Sequence, residues 1–365
     1  MTIAGGPGDS GGVSLARGDD DHPGGGRLAN LTTGDMEVVS ERLATWSRSS
    51  ATVGEVLSAL DDLRRSAERT ATRTSVVNLV VAATEPEAAE RSASAMRRLG
   101  HHHPGRTIAL VCRPDQPDGL GARVDLHRAT AEGHAVWWEE VHLELGGRLC
   151  SQTASVVSPV LLADLPVAVW YPSSLPARAD RLASLADAVI VDVRWAGEGE
   201  HKAPAALPAL VDLTRRHTVV DLSWRRLTPW RQLMAGLFDP APFRPFLGAV
   251  TSAEVAGHAG PSRLLAGWLA DRLGLAAGTV RLNPAVHASI HLQASHGGAR
   301  ATFTVERRGD DPVVEARAQI EGGPDHHESA PLPEHGLTWS LAETIGHLVA
   351  DRVYLHAIHA ALSLG

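Results

Sequence analysis

Apolar positions in the first two thirds of the chain fall into short, nearly continuous runs separated by stretches with helical spacing. Ser75–Ala83 (SVVNLVVAA) and Arg106–Cys112 (RTIALVC) are rich in β-branched residues and hardly alternate, the pattern of strands covered on both faces. Between them, Glu85–Leu99 reads as a helix with Pro86 in its first turn, where the missing N–H does least harm. Ala122–Leu145 reads as two strands, a hairpin or an antiparallel addition at one edge. Val167–Tyr171, Ala188–Val193 and Thr218–Leu222 are further strands, with helical segments predicted over Ala179–Ala186 and Leu207–Arg216. Upstream, Thr52-Val-Gly-Glu55 has capping-box spacing, and Val56, Leu57, Leu60 and Leu63 follow at helical intervals. Downstream, Thr228 as N-cap and Pro229 at the first position open a helix. Its Trp230, Leu233, Met234, Leu237 and Phe238 make one apolar stripe.

The last third changes character. Asp239-Pro-Ala-Pro-Phe-Arg-Pro245 stops the preceding helix and marks a boundary. A helix over Ser262–Leu273 is followed by strand-like runs at Val286–Gln293, Arg300–Arg307 and Val313–Glu321. Val286, Ala288, Ile290 and Leu292 alternate with His287, Ser289 and His291 in the first of these. A long helical stretch, Thr338–Leu362, closes the pattern. The predicted organisation is a Gly/Asp-rich disordered tail over 1–35, an α/β domain over 36–245 and a smaller α+β domain with antiparallel strands over 246–365. The first domain is a layered sheet, Rossmann-like but without a dinucleotide loop, because no G-x-G-x-x-G follows a predicted strand and opens a helix.

Composition narrows the function classes. The chain has 365 residues, 44% hydrophobic and 21% charged, with a formal net charge of −8, so no basic face is offered to nucleic acid. Met1–Gly12 has no secretory pattern, and Ser155–Tyr171 is too interrupted by Pro159, Asp164 and Pro166 to span a bilayer. Two cysteines, Cys112 and Cys150, do not make a disulfide framework; the expectation is a cytoplasmic protein without nucleic-acid or membrane partners. Its oligomeric state is not legible. Lys202 is the single lysine and lies in Gly-Glu-His-Lys, outside any P-loop frame or apolar setting, which argues against phosphate-loop and Schiff-base chemistry.

The candidate chemistry is thin. Gly8-Asp-Ser-Gly-Gly12 spells a protease nucleophile motif, yet too little chain precedes it to bring a histidine and aspartate alongside. Of the 19 histidines, His101-His102-His103, His287 with His291, and His356 with His359 lack the further ligands that a metal centre needs. No catalytic residue, metal or cofactor is therefore assigned. Cys112 ends a buried strand and reads as packing, whereas Cys150 beside Arg148 reads as the more accessible thiol; the pair are the redox candidates. Nine tryptophans outnumber four phenylalanines and two tyrosines, and several adjoin arginines. Trp224, Arg225, Arg226, Trp230, Arg231 and Trp170 are candidates for a partner interface, because Trp and Arg dominate binding hot spots. The same residues also suit arginine stems covering half-buried indoles.

Asp221-Leu-Ser-Trp-Arg-Arg-Leu-Thr-Pro-Trp-Arg-Gln-Leu233 and Cys150–Trp170, with its Leu-Pro-Val-x-x-Trp ending, closely resemble the signature segments of the OpcA family. His103-Pro-Gly-Arg106 and Trp138-Glu-Glu-Val-His142 also look like family positions, and the likeness runs in order over about residues 38–362. The resemblance implies a non-catalytic assembly factor or allosteric activator of glucose-6-phosphate dehydrogenase, serving the oxidative pentose phosphate pathway and NADPH supply. It brings no catalytic residues with it. The alternative is a sugar-phosphate or phosphogluconolactone-processing enzyme on the same α/β scaffold.

Overall fold

Two parallel strands at the centre of the first sheet show why their sequences hardly alternate. The computed structural model describes residues 41–67, 75–83, 86–99, 105–131, 134–194, 203–307, 309, 312–332 and 337–364. The expected tail, Gly8–Gly12, His101–His103 and Lys202 lie outside these. The elements in chain order are β1 (Glu41–Arg48), α1 (Val53–Ala67), β2 (Val77–Ala83), α2 (Pro86–Leu99), β3 (Gly105–Arg113), β4 (Gly119–Ala131) and β5 (His134–Gly146). There follow α3 (Thr153–Val157), β6 (Val167–Trp170), β7 (Ala188–Val191), α4 (Ala203–Thr214), β8 (Val219–Asp221), α5 (Leu222–Arg226) and α6 (Thr228–Gly236). The remainder is β9 (Val250–Gly257), α7 (Ala259–Leu273), β10 (Val280–Pro284), β11 (Ser289–His296), β12 (Ala299–Arg307), β13 (Val313–Ile320), β14 (Asp325–Pro331), α8 (Leu337–Gly346) and α9 (Arg352–Leu362).

The protein is mixed α/β with two sheets. The first runs β1-β4-β5-β3-β2-β6-β7-β8, parallel from β5 through β8 and antiparallel at β1-β4-β5. Val77, Leu79 and Val81 of β2 pack with Ala95 and Met96 of α2 and with Leu341 and Ile345 of α8. Val80 points the other way, into a cluster with Val56 and Leu60 of α1. With both faces covered, every position can be apolar; each such side chain contributes roughly 1.5–3 kcal/mol. Asn78 is the polar exception in this strand. It is fully buried and satisfied, its Nδ2 donating to Leu162 O at 2.9 Å and its Oδ1 accepting from Leu162 N at 2.7 Å. Gly105 is required where β3 meets β2, since a Cβ there would lie 2.3 Å from the Val77 carbonyl oxygen.

The second sheet runs β10-β9-β11-β12-β13-β14, antiparallel except for β9 beside β10. Ile290, Leu292, Phe303, Val305, Ala316 and Ala318 alternate onto its buried face. Phe238 stacks on Phe303 at 4.2 Å, and Phe243 and Phe246 of the proline-rich segment after α6 join the same ring cluster. Val38–Gly365 forms one compact unit, and one continuous cluster of buried side chains includes residues from both sheets. Gly267 of α7 makes close packing with α9 possible: a Cβ there would fall 2.1 Å from Ala357 O.

Several local expectations are corrected. Ala179–Ala186 is helical only as a 3₁₀ turn at Ala183–Leu185, because Asp180 accepts from the N–H groups of Leu182 and Ala183 and fixes a turn instead. The single helix over Thr338–Leu362 is two, since Asp351 caps α9 by accepting from Val353 N at 2.8 Å and Tyr354 N at 3.2 Å. Val286 is 76% exposed, and its strand begins at Ser289. Thr228 is not the cap of α6; its Oγ1 accepts from Arg231 Nη2. The β4–β5 hairpin forms, one strand in from the edge, with β1 outside it. The Thr52–Glu55 capping box does form, both reciprocal bonds included.

Candidate functional site

The parallel strands of the first sheet share one carboxyl edge, and two stretches of that edge hold most of the candidate residues. At β7 and β8 the edge is closed. Asp192 and Asp221, which follow or end these strands, are both buried. Asp221 Oδ1 accepts from Ser223 N at 2.9 Å and Val193 N at 3.3 Å, which caps the short helix α5 and ties β7 to β8. Its Oδ2 accepts from the Tyr354 hydroxyl of α9 at 3.1 Å. Asp192 accepts from the Ser223 hydroxyl at 2.5 Å and from Arg226 at 2.6 Å. Burial, and then the charge of Asp192, pushes Asp221 up to about 7.

The indoles of this signature segment are interior. Trp224 Nε1 donates to Asp351 Oδ2 at 2.7 Å, and its ring tilts against Tyr354 at 5.6 Å. Arg231 lies 3.6 Å over the Trp224 ring, a cation–π contact; burial lowers it to about 10, leaving it charged at neutral pH. Trp230 is 5% exposed and Trp170 is 1% exposed, packed with Leu222 and Leu341. The interface expectation set these side chains toward a partner; the structure sets all three indoles inside. Arg225, Arg226 and Arg231 are half-buried, with Arg225 donating to His347 O at 3.2 Å.

The shorter motif residues also serve the interior. Arg106 is 3% exposed and pairs with Glu139 through Nε at 2.7 Å, and Arg64 of α1 reaches the same carboxylate at 2.5 Å. Trp138 stacks on His127 at 5.5 Å, and His127 approaches Glu140 at 3.1 Å. Burial opposes ionisation of Glu140, yet hydrogen bonds from His127 and His142 and the charge of Arg97 hold it well below the usual carboxylate range. These motifs mark a buried ionic network between strands and helices.

At β3, β2 and β6 the same edge is open. Connections leave β2 toward β3 and leave β6 toward β7, so the strand order reverses between these neighbours. Crevices at such reversals, beyond the carboxyl ends of parallel strands, are where open α/β sheets hold ligands. A cleft of about 420 Å³ lies there. Ala82 and Ala83 end β2, Cys112 lies near the end of β3 and Tyr171 follows β6; the opposite wall comes from Cys150, Thr153 and the 174–182 turn. The cleft brings both redox candidates together: the two thiols are free and in hydrogen-bond contact, and Cys150 Sγ also reaches Leu145 O at 3.2 Å. Burial, then the neighbouring Cys150, pushes Cys112 up to about 12, so it stays a thiol near neutral pH. Tyr171 donates to Asp180 Oδ2 at 3.0 Å, and burial and that carboxylate raise its phenol far above the usual range. Among the described residues no group of three or more potential metal ligands gathers, and no helix is long and apolar enough to cross a membrane. Sequence reading missed the cleft because its walls come from four separated segments of small or weakly polar residues.

Comparison with known proteins matches both halves of the chain. Residues 69–207 match the model described as glucose-6-phosphate dehydrogenase subunit N-terminal domain, and residues 217–358 match the corresponding C-terminal domain. A putative OxPP cycle protein OpcA of Synechocystis sp. is 27% identical over 181 residues, 47% of this chain and 37% of that protein. The protein of the same description from Synechococcus elongatus is 31% identical over 125 residues, 32% of this chain and 27% of the relative. That from Nostoc punctiforme is 26% identical over 181 residues, 47% of this chain and 38% of the relative. The matches thus span well under half the length of these curated relatives. With both family domains present in order along it, the chain belongs to the OpcA family of glucose-6-phosphate dehydrogenase assembly proteins.

Proposed function

We propose that this protein is a non-catalytic partner of glucose-6-phosphate dehydrogenase that assists its assembly and shifts it toward a more active conformation. The observation that carries the reading is the pair of family-domain matches, 69–207 and 217–358, both described as parts of a dehydrogenase subunit. Activation of this kind requires tighter binding to the active conformation than to the inactive one. An equimolar mixture with purified dehydrogenase is expected to co-elute in size-exclusion chromatography, and a titration should lower the substrate KM or raise the maximal rate. Separate elution together with unchanged kinetics over the full titration would sink the reading. The open cleft at the strand-order reversal favours a second one, a sugar-phosphate or phosphogluconolactone-processing enzyme. Turnover of 6-phosphogluconolactone by this protein alone is its test.

A further inference from the structure

Part of the polar lining of the cleft beyond β2, β3 and β6 is left to solvent. Thr153, Ser174 and Arg181 are among its lining residues, the last two exposed, and none of these side chains has a hydrogen-bond or ion-pair partner among the described residues. Asp180, the carboxylate beside them, is already engaged: Oδ1 takes the N–H groups of Leu182 and Ala183, and Oδ2 takes the Tyr171 hydroxyl. One free cation with two free hydroxyls suits an anionic group carried on a hydroxylated body. The volume of about 420 Å³ admits a ligand of monosaccharide size with its charged group and is small for a dinucleotide. Tyr171 is the single aromatic side chain in the lining; it is buried and fixed by Asp180, which leaves no open ring face for a nucleobase. Ala82 and Ala83 keep the sheet end shallow, so that a ligand can approach the backbone.

We propose that this cleft binds a small polyhydroxylated anion, a sugar acid or sugar phosphate, with its charged group on Arg181 and its hydroxyls toward Thr153 and Ser174. The proposal is independent of the dehydrogenase partnership, because the isolated protein can be tested. Binding of 6-phosphogluconate, gluconate, glucose 6-phosphate, AMP and inorganic phosphate would be followed by calorimetry. Alkylation of Cys150 by iodoacetamide, read by mass spectrometry, reports on the cleft directly. The expected result is saturable binding of at least one sugar anion, at least fivefold slower alkylation when it is bound, and at least tenfold weaker binding in Arg181→Gln. Ser174→Leu, at an exposed position, should weaken it similarly while leaving the fold intact by circular dichroism. Gluconate binding without glucose 6-phosphate binding would identify a sugar acid; the reverse, a sugar phosphate. Absence of sugar-anion binding at millimolar concentration, binding indifferent to Arg181→Gln, or AMP binding as tight as that of the sugars would overturn the proposal.

Discussion

Two stretches of one sheet edge, a few strands apart, have opposite fates. Beyond β7 and β8, the carboxyl ends are sealed: Asp192, Asp221 and Ser223 satisfy one another, Arg226 and Tyr354 complete the network, and Trp224 closes over it with Asp351. Beyond β3, β2 and β6 the edge is open, and Thr153, Ser174 and Arg181 of the cleft lining have no side-chain partner among the described residues. Of the two signature segments, Cys150–Trp170 begins in the wall of the cleft, whereas Asp221–Leu233 falls on the sealed stretch. The dense Trp and Arg composition of the latter therefore records packing and ionic demands of the interior, while the stretch with room for a ligand carries alanine, serine and threonine. The Trp- and Arg-rich motif and the accessible site are separate things in this fold.

The contrast can be broken most severely at Trp224. Trp224→Ala removes a buried indole, and with it the hydrogen bond to Asp351 Oδ2 and the ring beneath Arg231; a loss of about 3–5 kcal/mol is expected in urea unfolding. A change under about 1 kcal/mol would mean that the sealed end is looser than its contacts indicate.

A milder test uses charge. Asp221 rises from its ordinary 3.8 to about 7 in the folded chain, so between those values the folded state holds a proton that the unfolded state releases. Stability should accordingly fall as pH rises through that window. Asp221→Asn stays neutral, can still accept from Ser223 N and Val193 N, and can donate to the Tyr354 hydroxyl. Its melting temperature is expected to vary less between pH 5 and pH 8 than that of the wild type, with the advantage to the variant at the upper end. Parallel curves for the two proteins would assign the pH dependence to other groups.

At the open end, Ser174→Ala should change stability by no more than about 0.5 kcal/mol, because the residue is exposed and its side chain has no partner among the described residues. A larger loss would show that the cleft is built for the fold and would erase the comparison.

Much of the first sheet was legible, for reasons that reside within single segments. β2 and β3 announce themselves by uninterrupted apolar runs, and α1 by the Thr52–Glu55 box. The strands that escaped are those whose stability is borrowed from neighbours. β14, Asp-His-His-Glu-Ser-Ala-Pro, has no apolar alternation and is a strand because β13 supplies its hydrogen bonds. β1 is mostly exposed at the far edge of the first sheet. The role of the signature segment escaped for a related reason. Trp224 was visible as unusual, but of the groups that bury it, Asp351 stands 127 residues away and Tyr354 lies on the helix that Asp351 caps. Four separated segments make the cleft, and no local pattern announces such a convergence.

The reach of Tyr354 back to Asp221 has a bearing on how the chain is made. The two residues are 133 positions apart, and α8 also returns to cover β2. At translation rates of about 5–20 residues per second, β8 emerges roughly 7–27 s before the helix that seals it. During that interval the nascent first sheet exposes Leu79, Trp170 and the end of β8 to other chains. Maturation of the first sheet on the ribosome thus waits on α8 and α9, and slow codons between β8 and α9 would lengthen the period in which the half-built sheet is prone to aggregate.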